Sequence, residues 1–246
     1  MDSFLSARPG RRTSALRPPP LARRLGLFAA ATLLAVAPAM AASPRDTLLR
    51  AAFETHDKAA ALALVDQAID ETRGELTARP GDKEARLQQA LGTGYRGQLR
   101  RSPGDAKAAR TALFALAQAY PRDPEVQVAV AGWHLTAVSD LGPFLARTLL
   151  GADKSSGYAA LDRALALGGG RAFFPAYAAL IRARIDPKDT QTPLTLAERA
   201  AAAPAPTPLD RIVQRAAVRL LPPLRRGDGA AAASLAKQLL PFGQLG

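Results

Sequence analysis

The stretch AQAYPRDPEVQVAVAGWHL, Ala117–Leu135, decides how the chain is read. It closes one apolar segment, turns through two prolines that flank Arg122 and Asp123, and opens another. Asp123 is placed as an N-cap, Pro124 as the first helical residue, and Glu125 next to the positive end of the helix dipole. Val126, Val128 and Val130 alternate as a strand would, but the cap and the apolar run through Val138 argue for a helix. The stretch therefore reads as a seam between two helices. His134 becomes a residue on the second of them rather than part of a catalytic loop.

Working outward, the same pattern recurs. KAAALALVDQAIDETRGEL, residues 58–76, places Ala61, Leu64, Val65, Ala68, Ile69 and Thr72 on one face at three- and four-residue spacing. Pro80-Gly81-Asp82, Pro103-Gly104-Asp105 and Pro121-Arg122-Asp123 punctuate the helical segments, with Asp82 a further N-cap. Such short turns generate antiparallel hairpins, and a hairpin of two amphipathic helices cannot hide its apolar face alone, so the units stack. The expected fold is all-α, an irregular α-solenoid of stacked antiparallel helical hairpins forming one domain over 42–246. Past the triple glycine at 168–170, RAFFPAYAALIRARI reads as a helix, DPKDTQTPL as a polar loop and TLAERAAAA as a short helix. PAPTP, within 203–208, reads as a stiff proline-rich connector. LDRIVQRAAVRLL and GAAAASLAKQLL, separated by Pro222-Pro223 and the Arg-Arg-Gly-Asp of 225–228, would form a capping hairpin.

Three segments resemble tetratricopeptide repeats. ALGTGY (90–95) is similar to the first-helix signature, a Leu-Gly pair with an aromatic three residues after the glycine. GYAALDRALALGGG (157–170) resembles the second helix, and ALFALAQAYPRDPE (112–125) the helix end and turn between repeats. The resemblance implies small residues where helices approach closely and first helices lining a concave groove. Departures are plain: Pro80 and Pro121 lie 41 positions apart, longer than the family's unit of about 34 residues, with an extra stop at Pro103. Between Trp133 and Gly157 the alignment leaves an insertion of about fourteen residues, within 141–157. The insertion holds a short helix candidate, Pro143–Leu150, with Phe144, Leu145, Leu149 and Leu150. Two readings compete: a plug in the core, or the wall of a ligand groove.

Composition narrows the chemistry. Hydrophobic residues make up 48% of the 246-residue chain but aromatics only 5%, so alanine and leucine carry the apolar faces, as suits close helix packing. Cysteine is absent, which excludes disulfides, thiolate catalysis and cysteine-held metals. Two histidines, His56 and His134, exclude a multi-histidine metal site. The N-terminus carries six arginines and one aspartate before LFAAATLLAVAPAMA, a basic region and apolar run ending in Ala39-Met40-Ala41. That is the pattern of a cleavable export signal over 1–41, cut near Ala41 or Ala42, rather than of a membrane span. Arg23-Arg24 raises the twin-arginine route, but Ala22 and Gly26 fit it poorly, so general secretion to a periplasmic or extracellular address is expected. Without 1–41 the chain holds 27 basic against 20 acidic side chains, a net charge of about +7 that is scattered rather than striped. Nucleic acid is not an expected partner; contact with acidic membrane surfaces is a minor alternative.

No complete catalytic constellation emerges. Asp140 lies six residues after His134, about one and two-thirds turns, on the opposite side of the same helix. His56-Asp57 reads as a helix cap, and Asp70, Glu71 and Glu75 as a solvated face. The glycines at 92, 94 and 97 lack the Gly-Lys-Ser/Thr of a phosphate loop, and neither Gly-x-Ser-x-Gly nor His-Glu-x-x-His occurs. The expected function is a non-enzymatic envelope scaffold, needing no cofactor or metal, that binds a protein, peptide or small ligand in a helical groove. Tyr95, Arg96, Trp133, His134, Phe144 and Arg147 are the candidate binding residues: aromatics for stacking area, arginines for ligand carboxylates. The alternatives are an accessory subunit of an envelope transport or assembly system, and an all-helical hydrolase or lyase using His134.

Overall fold

Side-chain caps set where the helices begin. The computed structural model of the chain describes residues 42–245; the expected export signal over 1–41 lies outside them. Ser43, Asp57, Asp82, Ser102, Asp123, Asp153, Thr207 and Asp228 each accept a hydrogen bond from a first-turn amide. Each thereby satisfies one of the donors a helix start leaves orphaned. The helices among the described residues number eleven. They are α1 Pro44–Phe53, α2 Lys58–Ala78, α3 Lys83–Arg100, α4 Pro103–Ala119, α5 Pro124–Leu141 and the three-residue α6 Pro143–Leu145. A π-helical turn, Ala146–Leu150, follows, then α7 Lys154–Leu167, α8 Phe173–Ile185, α9 Gln191–Ala202, α10 Pro208–Arg225 and α11 Gly229–Leu239. None is long and apolar enough to cross a membrane.

Packing runs largely in chain order, α1 on α2, α2 on α3, α3 on α4, α5 on α7, and α8 through α11 together. The expected face of α2 is the one that is buried, Ala61, Val65, Ala68, Ile69 and Thr72, with Leu64 half-covered. Glycine makes two close approaches between helices possible. A methyl at Gly92 would stand 2.9 Å from Ile69 of α2, and one at Gly157 only 2.5 Å from Leu135 of α5. In α5 the alternating valines are all buried, because the helix lies against α4, α7 and α8 and is apolar nearly all round.

An ion ladder ties the hairpins together. Arg45 of α1 forks onto Glu84 of α3 at 2.8 and 2.9 Å and reaches Glu125 of α5 at 2.5 Å. Glu125 also accepts from Arg171 at 2.9 Å, and Arg171 pairs with Asp210 of α10. Asp210 is fully buried and accepts further from the Phe173 and Thr207 amides and the Thr207 hydroxyl. Lys83 and Asp123 form a parallel link between the starts of α3 and α5.

Four expectations need correcting. The helix α10 runs through Pro222 and Pro223 to Arg225, although two amide donors are lost. Its buried strip, Val213, Ala217, Leu220 and Leu224, keeps it on the core, and the prolines fall in its last turn. Helix α9 begins at Gln191, inside the expected polar loop, with Asp189 accepting from the Thr192 amide. The C-terminal residues do not simply end a stack: the Phe242 amide donates to Ala52 O of α1 at 2.8 Å, and the Phe242 ring meets Tyr95 of α3 edge-on at 5.0 Å. The insertion, finally, is no plug. Ala146 and Ala152 anchor it against Val138, while Phe144 is 77% exposed and Leu149 49% exposed.

Candidate functional site

The insertion borders an open cleft of about 420 Å³ between α4, α5 and α7. Helix α5 supplies Val130 and His134, α4 supplies Arg110 and Phe114, and α7 supplies Ser156, Ala159 and Arg163. The chain leaving the insertion closes the rim with Gly151 and Asp153. Gly157 is what lets α7 lie this close to α5, since its would-be methyl meets Leu135 and the His134 Cβ.

His134 is 4% exposed and makes one hydrogen bond, accepting at Nδ1 from the Asp153 amide at 3.1 Å. An accepting Nδ1 fixes the tautomer with the proton on Nε2, and His134 is part of the cleft lining. Burial holds the imidazole pKa below its ordinary value, and the Arg110 charge adds to this, while the Asp153 carboxylate opposes it. The ring is therefore neutral near pH 7. Asp153 is pushed down to about 2 by the Ser156 amide first and the Ser155 hydroxyl second, so it is ionised.

Two guanidiniums flank the ring. Arg110 stacks over Phe114 at 5.0 Å and over Trp133 at 5.9 Å. Arg163 donates its Nε–H to Gln127 Oε1 at 3.0 Å, and the buried Gln127 is itself fixed by donating to Pro121 O. Among the described residues neither arginine has a carboxylate partner within salt-bridge distance. Trp133 packs edge-on against His134 and donates its indole N–H to Ala106 O, which sets the aromatic group.

The six residues expected from sequence fall in three places. His134 lines the cleft and Trp133 packs edge-on against His134. Phe144 and Arg147 project from the insertion into solvent. Tyr95 and Arg96 lie elsewhere on α3, and both are already engaged. Tyr95 is covered by Phe242, and Arg96 forks onto Asp105 at 3.0 and 2.7 Å, fastening α3 to α4. Asp140 sits away from His134, as its helical position requires, paired with Arg184 at 2.6 Å. Arg110, Arg163 and Ser156 were not singled out from sequence. Only the positions of Ser156 inside the insertion and of Arg163 inside the second-helix segment hinted at them, because their convergence depends on how three helices pack. Among the described residues no group of three or more histidines and carboxylates is arranged to hold a metal ion. No family model matches the chain, and searches of curated proteins and of solved structures find no match either.

Proposed function

We propose that the chain is a non-enzymatic, exported binding protein built of tetratricopeptide-like hairpins, taking a protein, peptide or small ligand on the face formed by α4, α5, α7 and the insertion. One observation carries the reading. Leu141, Phe144, Leu145 and Leu149 stand exposed together on one short segment that small buried alanines hold in place, beside an open cleft. A segment this apolar, lifted into water next to a cavity, is the usual form of a docking wall. Of the expected groove residues, Tyr95 is covered by the chain's own C-terminal residues, which leaves Trp133, His134 and the insertion as the proposed face. A hydrolase or lyase using His134 would need a side chain to orient the ring as a base, and among the described residues the ring's hydrogen bond comes from the Asp153 backbone amide. Export rests on the basic and apolar pattern of residues 1–41.

Panning a random peptide library on the purified chain tests the reading. Enriched peptides are expected to lose at least about tenfold in affinity on a Phe144→Asp, Leu149→Asp variant, since burying one such side chain stabilises a complex by roughly 1.5–3 kcal/mol. Peptides that bind the variant as well as the parent, or a library that yields no enrichment, would contradict it.

A further inference from the structure

We propose that the cleft between α4, α5 and α7 is a binding site for an organic acid: one carboxylate carried on a small apolar body. This rests on the reading of that face as a binding surface and names the chemistry it takes. The first support is His134. A polar ring held at 4% exposure in the lining of the cleft, with Nδ1 satisfied and Nε2–H unpartnered among the described residues, leaves one donor over for a ligand.

The second support is the pair of guanidiniums. Arg110, though exposed, lies over two aromatic faces, and the exposed Arg163 is bonded through Nε–H to the buried Gln127 amide. Each keeps its terminal N–H groups free of any carboxylate among the described residues. Guanidiniums with no carboxylate partner are strong neutral-pH donors for an oxyanion. Phe114, Val130 and Ala159 supply an apolar wall beside them, which an inorganic ion would not use.

Charge balance chooses between carboxylate and phosphate. Asp153 contributes one negative charge to the rim, but both the Ser155 hydroxyl and the Ser156 amide donate to it. Two cations and one anion leave a single positive charge. That matches a monoanionic carboxylate better than a phosphate monoester, which carries about −1.5 to −2 near pH 7. The volume, about 420 Å³, is at the small end of the roughly 300–1,000 Å³ of small-molecule sites.

The chain carries its own reporters. Trp133 is its single tryptophan and stacks against His134, and only two histidines give imidazole NMR signals, with His56 in the α1–α2 turn as internal control. The experiment titrates the full chain with benzoate, benzamide and inorganic phosphate at constant ionic strength. Benzoate is expected to change Trp133 fluorescence saturably and to move the His134 signals but not those of His56, while benzamide does neither. Arg110→Gln and Arg163→Gln should each weaken benzoate at least about tenfold, and Arg101→Gln, on another surface, should not. Two separate arginine variants, checked by their thermal melts, keep the test decisive if one fails to fold. Equal responses to benzoate and benzamide, or no saturable response, would overturn the assignment, as would saturation by phosphate alone. A parent chain that binds enriched peptides at the insertion but shows no saturable benzoate response would sink the acid site while leaving the docking face standing.

Discussion

Gly157→Ala is the substitution whose outcome the packing of α7 on α5 most directly determines. The added methyl would lie 2.5 Å from Leu135 Cδ2, 2.6 Å from its Cγ and 3.1 Å from His134 Cβ. Leu135 is fully buried and has nowhere to turn, so either the side chain leaves its rotamer or the helices separate. Overpacking of this kind costs about 1–3 kcal/mol. Alanine is also the better helix former by about 0.5–1 kcal/mol, which offsets part of the loss. The net expectation is a destabilisation of about 1–2 kcal/mol, or a melting temperature lower by roughly 2–8 °C for a chain of this size. Gly74→Ala in α2 is the matched control. Nothing stands within 4 Å of its methyl, so only the propensity gain remains and the protein should be slightly more stable. A double-mutant cycle sharpens the test. Leu135→Ala alone should cost about 2–5 kcal/mol, and on that background Gly157→Ala should become neutral or stabilising, because the methyl enters the space vacated. Urea unfolding followed by circular dichroism and by Trp133 fluorescence reads the parent and all four variants. If Gly157→Ala stabilises as much as Gly74→Ala, α7 does not lie on α5 at this distance and the cleft geometry falls with it.

Three further outcomes follow. Asp210→Ala leaves Arg171, the Phe173 amide and the Thr207 hydroxyl without their shared acceptor, and should destabilise by about 3–5 kcal/mol; a change below about 1 kcal/mol in chemical denaturation would show the ladder to be incidental. Because burial lowers the folded pKa of His134, the unfolded chain takes up its proton first. Stability should fall as pH drops below about 6.5 and the loss should level off below the folded value, whereas His134→Gln should lack that step in melting-temperature profiles. A further loss at lower pH, between about 4 and 2, is expected as Asp153 protonates. Phe242→Ala removes the ring that covers Tyr95, and amide exchange should speed up in α1 and α3; unchanged exchange there would mean the C-terminal residues add no closure.

Local signals made the helices and their starts readable. Asp57, Asp82 and Asp123 cap as their placement before apolar periodic segments implies, and the face of α2 is the one its spacing marks. Gly92 and Gly157, picked out by the repeat resemblance, do sit at close helix contacts. What escaped depends on distant partners. Phe242 reaches Tyr95 across most of the chain, and nothing near Tyr95 announces it. Arg96 looked free because its carboxylate, Asp105, belongs to the next helix, where it also marked a turn. The double proline reads as a stop by local rules, and only the buried strip before it explains why α10 continues. Periodicity could not tell whether Phe144 and Leu149 point inward or outward, because a segment this short makes a single turn whose orientation its anchors decide. The cleft was half legible: Trp133 and His134 were flagged for their chemistry, while Arg110 and Arg163 looked like two arginines among many.

The account stands or falls on where a ligand lands. Mapping amide chemical shifts of the isotope-labelled chain at saturating benzoate measures that directly. The largest shifts are expected at Gly151–Ser156, around His134 and beside Arg110 and Arg163, with α8–α11 silent. Shifts centred on α8–α11 or beside Tyr95 and Phe242, or spread evenly over the surface, would contradict it.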